Sequence, residues 1–474
     1  MKLVKRMNKL KHYLYEVQLK NGDWFVFNLL NFNYIISNRG ISATDTTDLE
    51  ESVIETLHDL GFISEYSEDS IFKNELDKWK AKILTEYNPV FEILTFRILP
   101  TYSCNFRCSY CYQPELLNEE TRKKTEYMNE EVLIAFFDYL ENDILSERIP
   151  KIRIEVVGGE VFLRNRKAIV FVRKIIEKSI DHNMDLIFVT NGYELDYFFE
   201  ILKQKYTITY NITIDGNRTK HNQRRYLIGK SGSFDKIIDN IDWILRNTKH
   251  IVRIRMNVDD NNVESVTPLI TILKEKEWID LDRLEIIIRT TTKYVDEPYY
   301  GLPVAYNIIS QNNTVRLIRS IIASNIKKIR IDGTLIPPVA VSLFWSKLFN
   351  NGKNNVAANV KSFDLLCSSN QGHFGSLDFD GQVRLCGFEL AHSCGRIYPH
   401  KNLDEELIKE WNSKEHILRK FLLQPCLKCK FFFLCSKRQC PYNQLNNYDK
   451  ETGYCVDVKE SLDLFFKNFG NYFI

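Results

Sequence analysis

Between residues 91 and 290 the chain alternates short β-branched runs with amphipathic helical stretches, and this alternation restricts its fold more than any other feature. The strand-like runs read "FEILTFRILP", "IRIEVV", "LIFVT", "YNITI", "VRIRMNV" and "LEIIIRT". Stretches 129–143, 166–180, 233–246 and 263–275 between them carry apolar residues at helical spacing. Parallel neighbours need a crossover, so such repeats predict a parallel sheet covered by helices. Six units fall short of a closed eight-stranded barrel. The expected core is a partial (β/α)6 TIM-like barrel in an α/β fold. Ligands of such sheets gather at the carboxyl ends of the strands.

The first strand runs into "TYSCNFRCSYCYQ", residues 101–113, which holds Cys104, Cys108 and Cys111 in the spacing C-x3-C-x2-C. A structural zinc site closes with four ligands and a disulfide needs two thiols. Three thiolates on a four-coordinate centre leave one position open for chemistry. The second strand ends in "VVGGE", where Gly158 and Gly159 let the backbone approach a ligand and Glu160 offers an acceptor for an ammonium group. The third ends in "VTNG", with Thr190 and Asn191, and the fourth in "ITIDG", with Thr213 and Asp215. Arg225 follows, a side chain that can fork onto a carboxylate. Each is an ordinary turn signal when taken singly. Their placement at successive strand ends is what joins them into one candidate site.

Charge is balanced, 64 Lys and Arg against 62 Asp and Glu, so nothing favours a nucleic-acid groove. The N-terminus lacks the apolar segment of a signal peptide, and no apolar run reaches the roughly 18 residues of a membrane span. A cytoplasmic protein with no nucleic-acid and no membrane partner is expected. In a reducing compartment its eleven cysteines point to metal rather than to disulfides. Three lie at 104–111 and eight between Cys367 and Cys455. In the tail, Cys367 and Cys386 flank Gly381 as C-x13-G-x4-C; Cys426, Cys429, Cys435 and Cys440 follow as C-x2-C-x5-C-x4-C, then Cys455. A zinc ribbon is the simpler reading of the C-x2-C pair, but seven cysteines suit two clusters better than one tetrahedral ion.

The boundaries expected are an N-terminal domain at 1–92, the barrel at 93–310, a poorly patterned connector at 311–360 and the cysteine-rich tail at 361–474. In the first, "YLYEVQL" and "WFVFNLL" around "KNGD" read as a hairpin. "DLEESVIETLHDLGFI" reads as a helix that buries Val53, Ile54, Leu57 and Leu60 and ends at Gly61. A three-stranded sheet with a few helices would fit.

C-x3-C-x2-C with Tyr110 before its last cysteine, together with "GGE" and "TIDGNRTKHNQRR", resembles the radical S-adenosylmethionine (radical SAM) superfamily over roughly residues 93–290. The resemblance implies that Cys104, Cys108 and Cys111 hold a [4Fe–4S] cluster whose fourth iron is chelated by the amino and carboxylate groups of SAM. It places Tyr110 against the adenine, and Gly158, Gly159 and Glu160 at the methionine ammonium. Thr190, Asn191, Thr213 and Asp215 fall near the ribose and carboxylate, with Arg225 pairing the carboxylate. Val161 and Asn217 stand where relatives often have proline.

The tail resembles the seven-cysteine SPASM domain, apart from x4 in place of x3 between Cys435 and Cys440. That implies one auxiliary [4Fe–4S] cluster on Cys426, Cys429, Cys435 and Cys455, and a second on Cys367, Cys386 and Cys440. Cys394 is either the fourth ligand of the second or a bystander. With the first cluster this makes three in all. The N-terminal unit looks like the winged-helix peptide-recognition element of peptide-maturing enzymes. The implied activity is modification of a ribosomally made precursor peptide with a leader segment. It resembles the thioether-forming sactipeptide and ranthipeptide synthases, fed by an external one-electron donor of flavodoxin or ferredoxin type. Formylglycine formation as in sulfatase maturases, carbon–carbon or carbon–oxygen linkage, and a non-catalytic iron–sulfur sensor are the alternatives. "GGE" and Arg225 stand against the sensor. No general base is singled out among Asp378, Asp380, Glu389, His221 and His373. Tyr112 and Gln113 beside the cysteine loop are candidates for substrate contact or for packing.

Overall fold

The computed structural model describes residues 8–19, 21–31, 33–42, 48–86, 93–111, 113, 127–145, 151–299, 302–307, 311–324, 329–332, 373–386, 393–413, 448–449 and 454–455. Two compact units result, one including residues 8–86 and the other built from 89–333 and 366–413.

In the smaller unit β1 (Leu14–Gln18), β2 (Trp24–Asn28) and β3 (Tyr34–Ser37) form an antiparallel sheet in that order. Helices α1 (Glu51–Asp59) and α2 (Glu68–Glu86) follow. Helix α1 ends where Gly61 turns to φ +78°. There the Gly61 amide donates to the His58 carbonyl and the Phe62 amide to the Leu57 carbonyl, the paired bonds of a left-handed cap. Ile54 and Leu57 pack on Leu14, Val26 and Phe62, with Leu60 partly buried beside them. Val53, expected in the core, is 40% exposed, because the buried stripe of α1 is only one residue wide per turn.

The larger unit contains, in chain order, β4 (Ile93–Leu99), β5 (Phe106–Cys108), α3 (Glu130–Tyr139), β6 (Lys151–Val156), α4 (Arg166–Asp181) and β7 (Asp185–Thr190). Then come β8 (Ile208–Thr213), α5 (Arg218–Arg224), β9 (Arg225–Leu227), α6 (Phe234–Asn247), β10 (Ile251–Val258), α7 (Val266–Glu275), β11 (Leu284–Thr290), α8 (Gln311–Ser324) and β12 (Ile329–Asp332). Four short strands close the unit: β13 (Ser376–Asp378), β14 (Gln382–Arg384), β15 (Ser393–Arg396) and β16 (Asn402–Leu403).

Eleven of these strands form one sheet in the order β12-β11-β10-β8-β7-β6-β4-β13-β14-β15-β16. The first eight are mutually parallel. Two of them lie outside the alternation read from the sequence. Strand β12 falls in the expected connector, and β13 docks against β4 with Asp378 opposite Leu99. Both are too short to show a hydrophobic period. The sheet's packing is aromatic: Phe96, Phe136 and Phe374 meet edge to face, as do Phe162, Phe188 and Phe198. Asn165 caps α4, its side chain accepting from the Ala168 amide at 2.8 Å, so the helix begins just past the β6 end. Among the described residues no helix is long and apolar enough to cross a membrane.

Candidate functional site

The cysteine loop leaves the carboxyl end of β4 and is gripped from three sides. Strand β5 pairs antiparallel with β9, putting Cys108 opposite Arg225, and the Ser109 amide donates to the Arg224 carbonyl at 2.9 Å. On the second side the end of β6 runs against the loop's backbone: the Gly159 amide donates to the Thr101 carbonyl and the Glu160 amide to the Ser103 carbonyl. A Cβ on Gly159 would stand 2.1 Å from the Ser103 oxygen, and one on Gly158, at φ +122°, 2.7 Å from the Thr101 oxygen. The close approach that the two glycines permit is therefore to the cysteine loop itself. On the third side Tyr102 donates its hydroxyl to Asp378 at 2.9 Å, tying the loop to β13.

Glu160 is buried, and its carboxylate binds protein donors. It accepts from the Thr190 hydroxyl at 2.6 Å, the Asn191 amide at 2.7 Å and the Phe162 amide at 2.9 Å. Burial raises its pKa, against the pull of these three bonds. Its visible work is to lock the β6 and β7 ends together. Asn191 extends the lock by donating to the Asn105 side chain at 2.7 Å, one residue beyond Cys104. Thr213 is buried at the end of β8.

Below the loop lies a buried polar network. The Tyr110 hydroxyl accepts from Arg225 Nη1 at 2.9 Å and from Asn257 Nδ2 at 3.0 Å, and the Arg224 guanidinium sits 4.8 Å over its ring. Arg224 Nη1 donates to both oxygens of Asp259 at 2.8 Å, and its Nε faces Asp215 at 3.5 Å. Asp215 also accepts the Asn257 amide at 3.0 Å. Burial raises the Tyr110 pKa, opposed by Arg225, so the phenol stays protonated. Arg224, Asn257 and Asp259 were not singled out in the sequence. They meet only because the β8 and β10 ends are neighbours.

The candidate bases fare differently. His221 is fully buried; its Nδ1 accepts the Asp215 amide at 3.2 Å and its Nε2 lies 3.0 Å from Ser233 Oγ. Both nitrogens are engaged, and burial lowers its pKa well below the usual range, with both arginines adding to the effect. It is a neutral strut. Asp378 accepts from Tyr102 and from its neighbouring Phe379 amide, and burial raises its pKa. Asp380 is paired with Arg396 at 3.2 Å, and His373 Nδ1 lies 3.4 Å from the Tyr139 hydroxyl. Gln113 is buried, and among the described residues its Nε2 has no partner. Asn217 caps α5, accepting from the Lys220 amide at 3.0 Å, a task proline has no side-chain acceptor for. Val161 is buried.

Of the tail cysteines, Cys367, Cys426, Cys429, Cys435 and Cys440 lie outside the described residues, as do Tyr112 and Glu389, and Cys455 is described by its backbone alone. Cys386 follows β14, its carbonyl accepting from Ser376 Oγ at 2.9 Å. Cys394 is 1% exposed within β15, its thiol pushed up to about 12 by burial.

The loop residues fit an iron–sulfur group. All three thiols are partly exposed and unbridged. Burial pushes Cys104 up to about 12, with Glu160, Cys108 and Cys111 adding to it, so Cys104 lies near enough to each of the other two to feel its charge. Arg225 is 7% exposed, and among the described residues neither its Nε nor the Asn105 side-chain nitrogen has a partner. Among the described residues no three His, Cys, Asp or Glu side chains converge as on a single ion. A four-iron cluster asks for something different, one thiolate at each of several irons.

Comparison with known proteins agrees with this chemistry. Residues 98–271 match the radical SAM superfamily. The cysteine-type anaerobic sulfatase-maturating enzyme of Clostridium perfringens is 23% identical over 398 residues, covering 79% of this chain and 96% of that enzyme. GTP 3′,8-cyclase of Campylobacter jejuni subsp. doylei is 32% identical over 152 residues, 31% of this chain and 42% of the cyclase. In fold, anSMEcpe solved with bound AdoMet and the Cp18Cys peptide superposes with a TM-score of 0.54 at 18% identity, over 80% of this chain and 98% of that one. A three-cysteine loop at the carboxyl end of a parallel strand, with a buried arginine across from its middle thiol, is thus matched by homology over the same residues: the chain carries a radical SAM domain, with the S-adenosylmethionine and [4Fe–4S] cluster that this domain implies, and is an oxidoreductase-type radical enzyme.

Proposed function

We propose that this enzyme modifies a ribosomally synthesised precursor peptide, joining a cysteine sulfur to a carbon that has lost hydrogen. When bound, the cluster and SAM supply a 5′-deoxyadenosyl radical by one-electron reductive cleavage of the sulfonium. The chain's residues do the rest. Cys104, Cys108 and Cys111 hold the iron, the β6 and β7 ends brace the loop, and Tyr110 with Asn257 fixes the floor beneath it. SAM contacts by Thr213, Asp215 and the Gly158–Glu160 turn, the partial-barrel curvature of the sheet, and two auxiliary clusters in the tail are parts of the same reading; one hydrogen atom leaves to the 5′-deoxyadenosyl radical, and an auxiliary cluster would take up the remaining electron while the thiol proton goes to solvent.

The observation that carries it is homology along nearly the whole of a maturase that acts on other proteins, combined with extra chain. The match leaves about a fifth of this chain uncovered. The unit including residues 8–86 offers an antiparallel sheet whose edge suits capture of a leader segment by strand addition. Cysteine or serine oxidation to formylglycine is the second reading, favoured by the name of that same relative.

Incubation of the reconstituted enzyme with reductant, SAM and a cysteine-containing precursor peptide encoded beside it tests both. Loss of two hydrogens from the peptide, with 5′-deoxyadenosine released, is the expected result. Exchange of sulfur for oxygen together with the loss of two hydrogens would favour the maturase reading. Cys104→Ala is expected to abolish 5′-deoxyadenosine formation, and normal turnover in that variant would overturn both.

A further inference from the structure

Arg225 is a buried cation beside the cysteine loop. Two carboxylates lie near enough for their charge to act on it, Asp215 and Glu160, but Asp215 accepts the Asn257 amide and faces Arg224 Nε, and Glu160 accepts from Thr190, Asn191 and Phe162. Among the described residues no carboxylate lies within ion-pair distance of the Arg225 guanidinium. Its Nη1 donates to a neutral phenol, its Cζ lies 5.6 Å from the Phe106 ring centre, and among the described residues its Nε has no acceptor. The Cys108 side chain, Tyr110 and Asp215 hold this guanidinium charged against the cost of burial, and its Nε stays open to a further acceptor. In the β5–β9 ladder Arg225 stands directly opposite Cys108. Directly opposed residues of an antiparallel pair share a face, with Cβ atoms roughly 5 Å apart. The anion nearest to hand is the thiolate-bound iron centre.

We infer that Arg225 raises the reduction potential of the cluster held by Cys104, Cys108 and Cys111, with Tyr110 as the residue that positions it. The inference rests on the cluster reading of that loop. On reduction one electron leaves a soluble reductant and enters the iron–sulfur centre, which becomes more negative by one unit. No bond forms or breaks, and Arg225 keeps its proton. A fixed positive charge at that point stabilises the reduced form more than the oxidised one. Pairing with the SAM carboxylate, which the motif resemblance implies for Arg225, concerns a different anion, and the two are separable by leaving SAM out.

The test is a mediated redox titration of the full, iron-reconstituted chain without SAM, followed by electron paramagnetic resonance. Titanium(III) citrate serves as reductant. Signals of the loop cluster are those missing from Cys104→Ala. Arg225→Gln is expected to titrate at a more negative potential than the unaltered chain, and Arg225→Lys to recover most of the shift. Equal SAM-free potentials in Arg225→Gln and the unaltered chain would overturn the inference, whatever happens to SAM affinity. If Arg225→Gln does not retain iron, Tyr110→Phe carries the test. There the guanidinium remains charged but loses its anchor, and the potential should again fall; an unchanged value would be equally fatal. Absence of any Cys104-dependent signal from the unaltered chain would overturn the cluster reading, and this inference with it.

Discussion

At the scale of single residues, the glycines at the end of β6 show how a motif read for ligand binding acts first on the protein. Gly159 has no room for a side chain because the Ser103 carbonyl occupies the place of its Cβ at 2.1 Å. Backbone cannot rotate away as a long side chain can, so Gly159→Ala must push residues 101–103 off β6. Overpacking of this kind costs typically about 1–3 kcal/mol. Here the displacement falls directly on the segment leading into Cys104. Gly159→Ala is therefore expected to lower both the melting temperature and the iron retained per chain after reconstitution. Gly229→Ala is the control: its φ of +99° makes alanine strained, at about 1–3 kcal/mol, but nothing lies within 4 Å of the added methyl. It should lose stability and keep its iron. Full iron in Gly159→Ala would show that the loop does not lean on this contact.

At the scale of elements, the junction of α5 and β9 carries the site. Arg224 closes α5 and reaches Asp259 beyond β10, while its own carbonyl holds the Ser109 amide of the cysteine loop. Both side chains are almost fully buried, so removing one strands the other's charge, at a cost of about 3–5 kcal/mol. Arg224→Met should lower the urea midpoint by an amount of that order, measured on the iron-free chain. Arg224→Met with Asp259→Leu should regain most of it, since a buried ion pair replaced by apolar groups is often neutral. A double variant as unstable as the single would place the loss in the missing Asp215 and Tyr110 contacts. The six strands of the alternation were legible because each shows its own β-branched run bounded by turn residues. The Arg224–Asp259 pair was not, because its members are 35 residues apart and meet through the adjacency of β8 and β10. Strand β13 was hidden for another reason. Its three residues become a strand by docking on β4, and nothing local requires it. The glycine pair was legible as a close approach, while the identity of what approaches is a property of the fold.

At the scale of the whole molecule, the two cysteine regions make separate demands on metal. Residues 104–111 supply three thiols to one centre, and the stretch from Cys367 to Cys455 holds eight more. If the seven spaced cysteines of the tail carry two four-iron clusters, the fully loaded chain should contain about twelve iron atoms and as many sulfides. If C-x2-C at Cys426 and Cys429 belongs instead to a zinc ribbon, iron falls to about four and zinc appears. Metal analysis of anaerobically reconstituted protein separates these outcomes, and Cys104→Ala sharpens them. That variant should lose about four irons, leaving about eight in the two-cluster case and almost none in the zinc case. The subtraction matters because the thiols of both regions compete for iron during reconstitution, so a total alone can mislead. Loss of all iron in Cys104→Ala, with zinc retained, would remove the auxiliary clusters from the proposal. The radical SAM domain would stand, but the route by which a second electron leaves the substrate would have to be sought elsewhere.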